Sequence, residues 1–236
     1  MIEAFITNHG KYNEGELRGG YLKFPATSQE VKNLLSRIGV DGVSYEETFI
    51  TDYDTEIPGL KSCLGEYENI DELNYLAALL SEMDTADIEK FKSALAYGEY
   101  TSSAKDLINL AQNLDCYDYL PGINDYEELG IYYAEECGTL PVPDYLKDYV
   151  DYEAYGRDVS FECDGSFTKS GYIVRNDEYF TEHYQGREDI PDEYRIFAFP
   201  DLPEKTPVKQ QLEYYGRMAL SQPLKDSPAL ARAERG

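Results

Sequence analysis

Adjacent carboxylates are the residues of this sequence whose types and spacing could do chemistry. Glu127–Glu128 and Glu135–Glu136 could in principle supply the acid and the base of a proton-transfer pair. With 46 acidic side chains in 236 residues, such pairs are expected by chance. His9 and His183 are the only histidines, too few for a metal cluster or a histidine relay. Asp52, Asp54 and Glu56 begin like a calcium loop, but Ile57 stands where that loop requires glycine and Cys63 where it requires glutamate. Cys63, Cys116, Cys137 and Cys163 lie far apart without a CxxC pair, which predicts buried, reduced thiols rather than a disulfide framework or a zinc site. Phosphate-binding loops, nucleophile elbows and dinucleotide fingerprints are absent from the sequence. No catalytic residue, cofactor or metal is expected.

Charge is the abnormal quantity. The formal net charge is -25, and it is unevenly placed. Residues 1–40 hold 4 acids and 5 bases, residues 41–158 hold 28 and 6, and residues 159–236 hold 14 and 10. The middle stretch alternates its carboxylates with Leu, Ile, Phe and Tyr, so it should fold with the acids outward rather than behave as a loose acidic tail. Two carboxylates ~7 Å apart in water repel by roughly 0.6 kcal/mol, and many such terms add on a compact body. Solubility needs far less charge than this. The field also opposes direct binding to nucleic acid, which requires clustered Lys and Arg. The 23 tyrosines, with no tryptophan, read mainly as core, but Tyr117, Tyr119, Tyr132 and Tyr133 stand among acids and could anchor an interface.

The elements that must position these groups read as α+β. Residues 3–8 and 17–24 alternate like strands, with turn chemistry between Gly10 and Gly15. Thr27 and Glu30 form a capping box ahead of Val31, Leu34, Leu35 and Ile38, and Gly39 stops that helix. Residues 45–53 read as another strand. After Pro58–Gly59 the period becomes helical: Asn69, Thr85 and Ser102 or Ser103 are the expected caps of three short amphipathic helices. Beyond Pro121–Gly122 the pattern predicts helices over about 126–137 and 144–155, then a hairpin over 161–174 turning at Asp164–Gly165. Past 176, prolines interrupt the pattern; a helix near 207–219 and a loose end are expected. In order, these elements compose a β-β-α-β unit over 1–61, a short helical bundle over 62–103 and an α+β hairpin region over 104–176. An extension over 177–236 follows. No stretch is long and apolar enough to span a bilayer, and MIEAFITNHGKYNEG lacks the marks of a signal peptide, so no membrane association and a cytoplasmic location are expected.

Several extended segments then carry a resemblance: KYNEGEL at Lys11–Leu17, GEYENIDELNYLA at Gly65–Ala77 and SAKDLINLAQNLDCYDYLPGI at Ser103–Ile123. YEELGIYYAEE at Tyr126–Glu136 and DYVDYEAYGRDV at Asp148–Val159 follow in the same order. Over most of residues 1–175 the sequence resembles the ArdA antirestriction proteins of conjugative plasmids and transposons. The resemblance implies three small domains, 1–61, 62–103 and 104–176, strung along an elongated, curved homodimer that meets through the third and whose surface carboxylates imitate the phosphates of bent B-form DNA. It further implies inhibition of type I restriction-modification enzymes by occupying the DNA groove of their methyltransferase core. The family's antirestriction segment falls at Leu120–Glu136, which carries over Asp125, Glu127, Glu128, Glu135 and Glu136 as partner-binding acids, with Asp115 and Asp118 just before them. The competing reading is an acidic adaptor or chaperone for basic nucleic-acid-binding proteins.

Overall fold

The computed structural model of the chain describes residues 2–201. The expected helix near 207–219 and the loose end lie outside the described residues.

The first sheet is antiparallel, with β1 (Ile2–Asn8) between β2 (Gly19–Phe24) and β3 (Thr48–Thr55). Period-two alternation buries Ile2, Ala4 and Ile6 of β1 and Leu22 and Phe24 of β2, which share a core with Val31, Leu34, Leu35 and Ile38 of α2 (Ser28–Ile38). This helix begins and ends as its sequence predicts. Thr27 Oγ1 accepts from the Glu30 N–H, the Glu30 carboxylate accepts from the Thr27 N–H, and Gly39 closes it in the left-handed region at φ 80°. The turn expected between Gly10 and Gly15 contains instead a short helix, α1 (His9–Asn13), because the Asn8 side chain caps the Lys11 N–H.

Three helices follow: α3 (Ile70–Glu82), α4 (Thr85–Tyr97) and α5 (Ala104–Gln112). Asn69 and Ser103 cap the first and third as expected. The second is capped by Asp84, not Thr85: the Asp84 carboxylate takes the Asp87 N–H and makes Thr85 the first helical residue.

The second sheet places β6 (Gly171–Arg175) between β4 (Tyr117–Pro121) and the two-residue β5 (Ser166–Phe167), all antiparallel. Alternation along β6 serves two cores. Ile173 joins the main apolar cluster, which runs without interruption from the first sheet through α3–α5, while Tyr172 and Val174 join Leu129 in a smaller one. Three expectations change in this region. The helix expected to about Cys137 is α6 (Tyr126–Ile131) followed by one π-helical turn, Tyr132–Glu136. The helix expected over 144–155 is a 3-10 turn, Asp144–Tyr149, and then α7 (Tyr152–Cys163), capped by Asp151. The hairpin expected to turn at Asp164–Gly165 turns at 168–170, because α7 runs to Cys163 and Asp164 is its left-handed end at φ 54°.

Residues 177–200 form a strap without long regular structure, pinned by helix side chains. Asn109 and Asn113 receive the N–H groups of Tyr184 and Thr181 and donate to the carbonyls of the same two residues. Asp71 is only 1% exposed. Its carboxylate accepts from the Ile196 and Phe197 N–H groups at 2.8 and 2.7 Å and pairs with Arg187 at 2.8 Å. All four cysteines are free thiols. Cys116 is buried as expected and Cys63 partly so, but Cys137 and Cys163 are exposed, since each ends a helical segment at the surface.

Candidate partner-binding surface

The acidic segment is positioned by an unusually close helix pair. A Cβ on Gly156 of α7 would lie 1.9 Å from the Tyr126 carbonyl oxygen and 2.6 Å from the Gly130 nitrogen. A Cβ on Gly130 of α6 would lie 2.0 Å from the Tyr152 carbonyl oxygen. Glycine is therefore required at both positions, and the two backbones touch. Beneath them Leu129 is fully buried against Tyr172 and Val174. This fixes one face of α6 to the sheet and turns the other outward.

All seven sequence-predicted acids, Asp115, Asp118, Asp125, Glu127, Glu128, Glu135 and Glu136, are exposed. Asp125 caps α6 by accepting the Glu128 N–H at 2.9 Å, and Glu128 reaches back to the Asn124 N–H at 2.7 Å. Glu127 shares that first turn, where carboxylates are favoured by the helix dipole. Glu135 and Glu136 sit on the π turn. Asp115 and Asp118 flank the entry to β4, where Asn176 donates to the Asp115 carbonyl and the Asp118 carboxylate at 2.7 and 3.1 Å. Sequence position thus brings together two groups, 125–128 on α6 and 135–136 one turn beyond it, with 115 and 118 at the neighbouring strand.

Two residues that sequence reasoning passed over qualify the set. Tyr152 donates to Glu135 at 2.6 Å and Lys147 donates to it at 3.1 Å, and together, the tyrosine first, they hold the Glu135 carboxyl below its ordinary range. Lys147 also pairs with Asp144 at 3.2 Å. Its rarity was the available signal, since it is one of six bases among residues 41–158. Lys61, Lys92 and Lys105 are likewise held in ion pairs, with Asp52, Glu89 and Glu182. Glu127 and Glu136 form no ion pair with any described residue. The 3-10 turn beside them exposes Tyr145 and Tyr149, at 78% and 85%, and α7 exposes Phe161.

Such a surface, with exposed carboxylates and tyrosines, has the character of a partner-binding protein. The sequence matches the family described as "Antirestriction protein (ArdA)" over residues 4–174, and the chain belongs to that family. Its members are antirestriction proteins and are not a known family of enzymes. A search of curated proteins finds no match. Among the described residues no helix is long and apolar enough to cross a membrane.

Proposed function

We propose that this chain inhibits type I restriction-modification enzymes by presenting its carboxylates as an imitation of the DNA phosphate array. It would occupy the DNA groove of the methyltransferase core. The observation that carries the reading is the state of the acids: seven carboxylates of residues 115–136 face solvent on packed elements, while Lys105 and Lys147 are already held in ion pairs. Duplex DNA carries one negative charge per ~1.7 Å of axis, so an imitation needs many acids spread over several elements. The array is drawn from residues 41–158, which hold 28 acids against 6 bases. A homodimer, joined through exposed apolar and tyrosine side chains of residues 104–176 such as Tyr145, Tyr149 and Phe161, extends the array and matches a target with pseudo-two-fold symmetry.

The test is competition between the full chain and a duplex bearing the recognition sequence for a purified type I methyltransferase. Mutually exclusive binding that weakens as salt rises is expected. A ternary complex with both protein and DNA bound would refute groove occupation. Sedimentation showing only monomer at micromolar concentration would refute the dimer.

A further inference from the structure

A second feature runs against the charge of the molecule. The 3-10 turn Leu60–Cys63, the C-terminal half of α4 and the β5–β6 turn enclose a cleft of about 420 Å³. Pro58, Leu95 and Ala96 supply apolar wall, while Lys92 and Lys169 supply two ammonium groups. Glu89 is the only carboxylate among the lining residues. In a chain of formal charge -25, this lining is locally cationic.

We propose that the cleft binds a small organic anion, a carboxylate or phosphate carried on an apolar body, with Lys92 and Lys169 as its cationic contacts. The volume falls within the ~300–1,000 Å³ usual for small-molecule sites, and an apolar wall with a few polar groups is their usual lining. A bare inorganic ion would leave that wall unused. Lys169 is exposed on the turn and has no ion-pair partner among the described residues. Lys92 gives one contact to Glu89 at 2.7 Å, and an ammonium has three protons to donate, so others remain available. The floor adds a hydroxyl cluster: the buried Ser93 Oγ lies 3.2 Å from Thr168 Oγ1 and 3.4 Å from Ser170 Oγ. Thr168 donates its proton to the Gly171 carbonyl at 2.9 Å and so accepts from Ser93, which in turn accepts from the Ser170 hydroxyl. Repulsion from the distant acids is weak at this range, since the screening length is ~8 Å at physiological ionic strength.

The experiment titrates the full chain with phenyl phosphate, benzoate and uncharged benzyl alcohol at constant ionic strength, followed by assigned amide NMR shifts. Both anions should give saturable shifts at Cys63, Ala96 and Ser170. Benzyl alcohol should bind at least about tenfold more weakly, a difference of ~1.4 kcal/mol. Lys169→Gln, on an exposed turn, should weaken both anions by roughly fivefold, as loss of one well-placed ion pair implies. The same spectra report whether that variant is folded. Shifts that fail to saturate at these amides would overturn the proposal. So would benzyl alcohol matching benzoate, or Lys169→Gln and Lys92→Gln both binding as the parent does.

Discussion

The β1–α2–β3 unit and the α6–α7 pair use the same acidic residue types to opposite ends. In the first, carboxylates are absorbed by local structure. Glu30 completes a capping box, Glu14 pairs with Lys11, Glu16 with Arg18, and Asp41 accepts three backbone N–H groups from Val43, Ser44 and Tyr45. Hydrogen bonds hold Glu14 and Asp41 below the ordinary carboxylate range, the Lys11 ammonium acting first on Glu14 and the Tyr45 N–H first on Asp41. Their stabilisation is present above the ordinary carboxylate pKa and is lost as pH falls through the lowered folded-state values. In the α6–α7 pair, Glu127 and Glu136 have no such partner among the described residues, and the fold is held instead by glycine-to-backbone contact. An acid's role is therefore set by the supply of donors around it, not by its identity.

The comparison breaks most sharply at Gly156. Gly156→Ala forces a methyl group to 1.9 Å from a backbone oxygen, which no side-chain rotation can relieve. Overpacking of this kind costs ~3 kcal/mol or more when only backbone can move. A large fall in the thermal midpoint is expected, together with weaker inhibition, because α6 carries the acids. The matched change in the first unit, Thr27→Ala, should cost only about 1 kcal/mol, the usual value of a lost N-cap. Equal midpoints for the two variants would refute the close helix contact.

Next in size is Asp71→Ala. It leaves the Ile196 and Phe197 N–H groups without their acceptor and Arg187 without its partner. Each orphaned buried donor costs ~1–3 kcal/mol, so a loss of roughly 2–5 kcal/mol in urea unfolding is expected. Amide exchange should quicken through residues 177–200. The strap holds no residue of the acidic set, so the folded fraction should still inhibit. Unchanged exchange in the strap would show that Asp71 is not its latch.

The sequence made these two regions unequally legible. Local signals place α2, α3 and α5, because Thr27 with Glu30, Asn69 and Ser103 act within one helical turn. The α6–α7 region resists the same reading: Gly130 and Gly156 are 26 positions apart, and nothing local says that their backbones touch. The strap resists it too, since polar side chains on α3 and α5, Asp71, Asn74 and Asn109, with Asn113 just past the end of α5, hold irregular backbone that has no period of its own. Buried polar residues on otherwise apolar helix faces were the available clue. The seven acids could be named from the sequence, but not which of them were neutralised.

A smaller effect tests whether those acids act as a field. The fivefold change of Asp125 to Asn and of Glu127, Glu128, Glu135 and Glu136 to Gln removes five charges. It keeps an oxygen acceptor for the Glu128 N–H, the Asn124 N–H and the Tyr152 hydroxyl. The fold should survive by circular dichroism. Inhibition should fall by about a hundredfold or more, since several exposed pairs of up to ~1 kcal/mol each add. A folded fivefold variant of undiminished potency would remove this surface from the mechanism.

The smallest effect gives the finest resolution, because it separates neighbours. Any single change, Glu128→Gln included, should weaken inhibition by less than about tenfold, the ~0–1 kcal/mol of one exposed ion pair. Within that range the geometry sets an order. Glu135 is held by Lys147 and Tyr152, so much of its charge is cancelled before a partner arrives, and Glu135→Gln should be nearly silent. Glu136, one residue on, has no ion pair among the described residues, and Glu136→Gln should cost more. Lys147→Gln should act oppositely, freeing Glu135 and Asp144 and strengthening inhibition slightly. The measurement is a competition titration of the three variants against one methyltransferase at low salt, where exposed charges are screened least. Glu135→Gln proving the most damaging would mean that Glu135 makes a specific contact rather than contributing to a field. Loss of all activity in one folded single variant would point to catalysis instead.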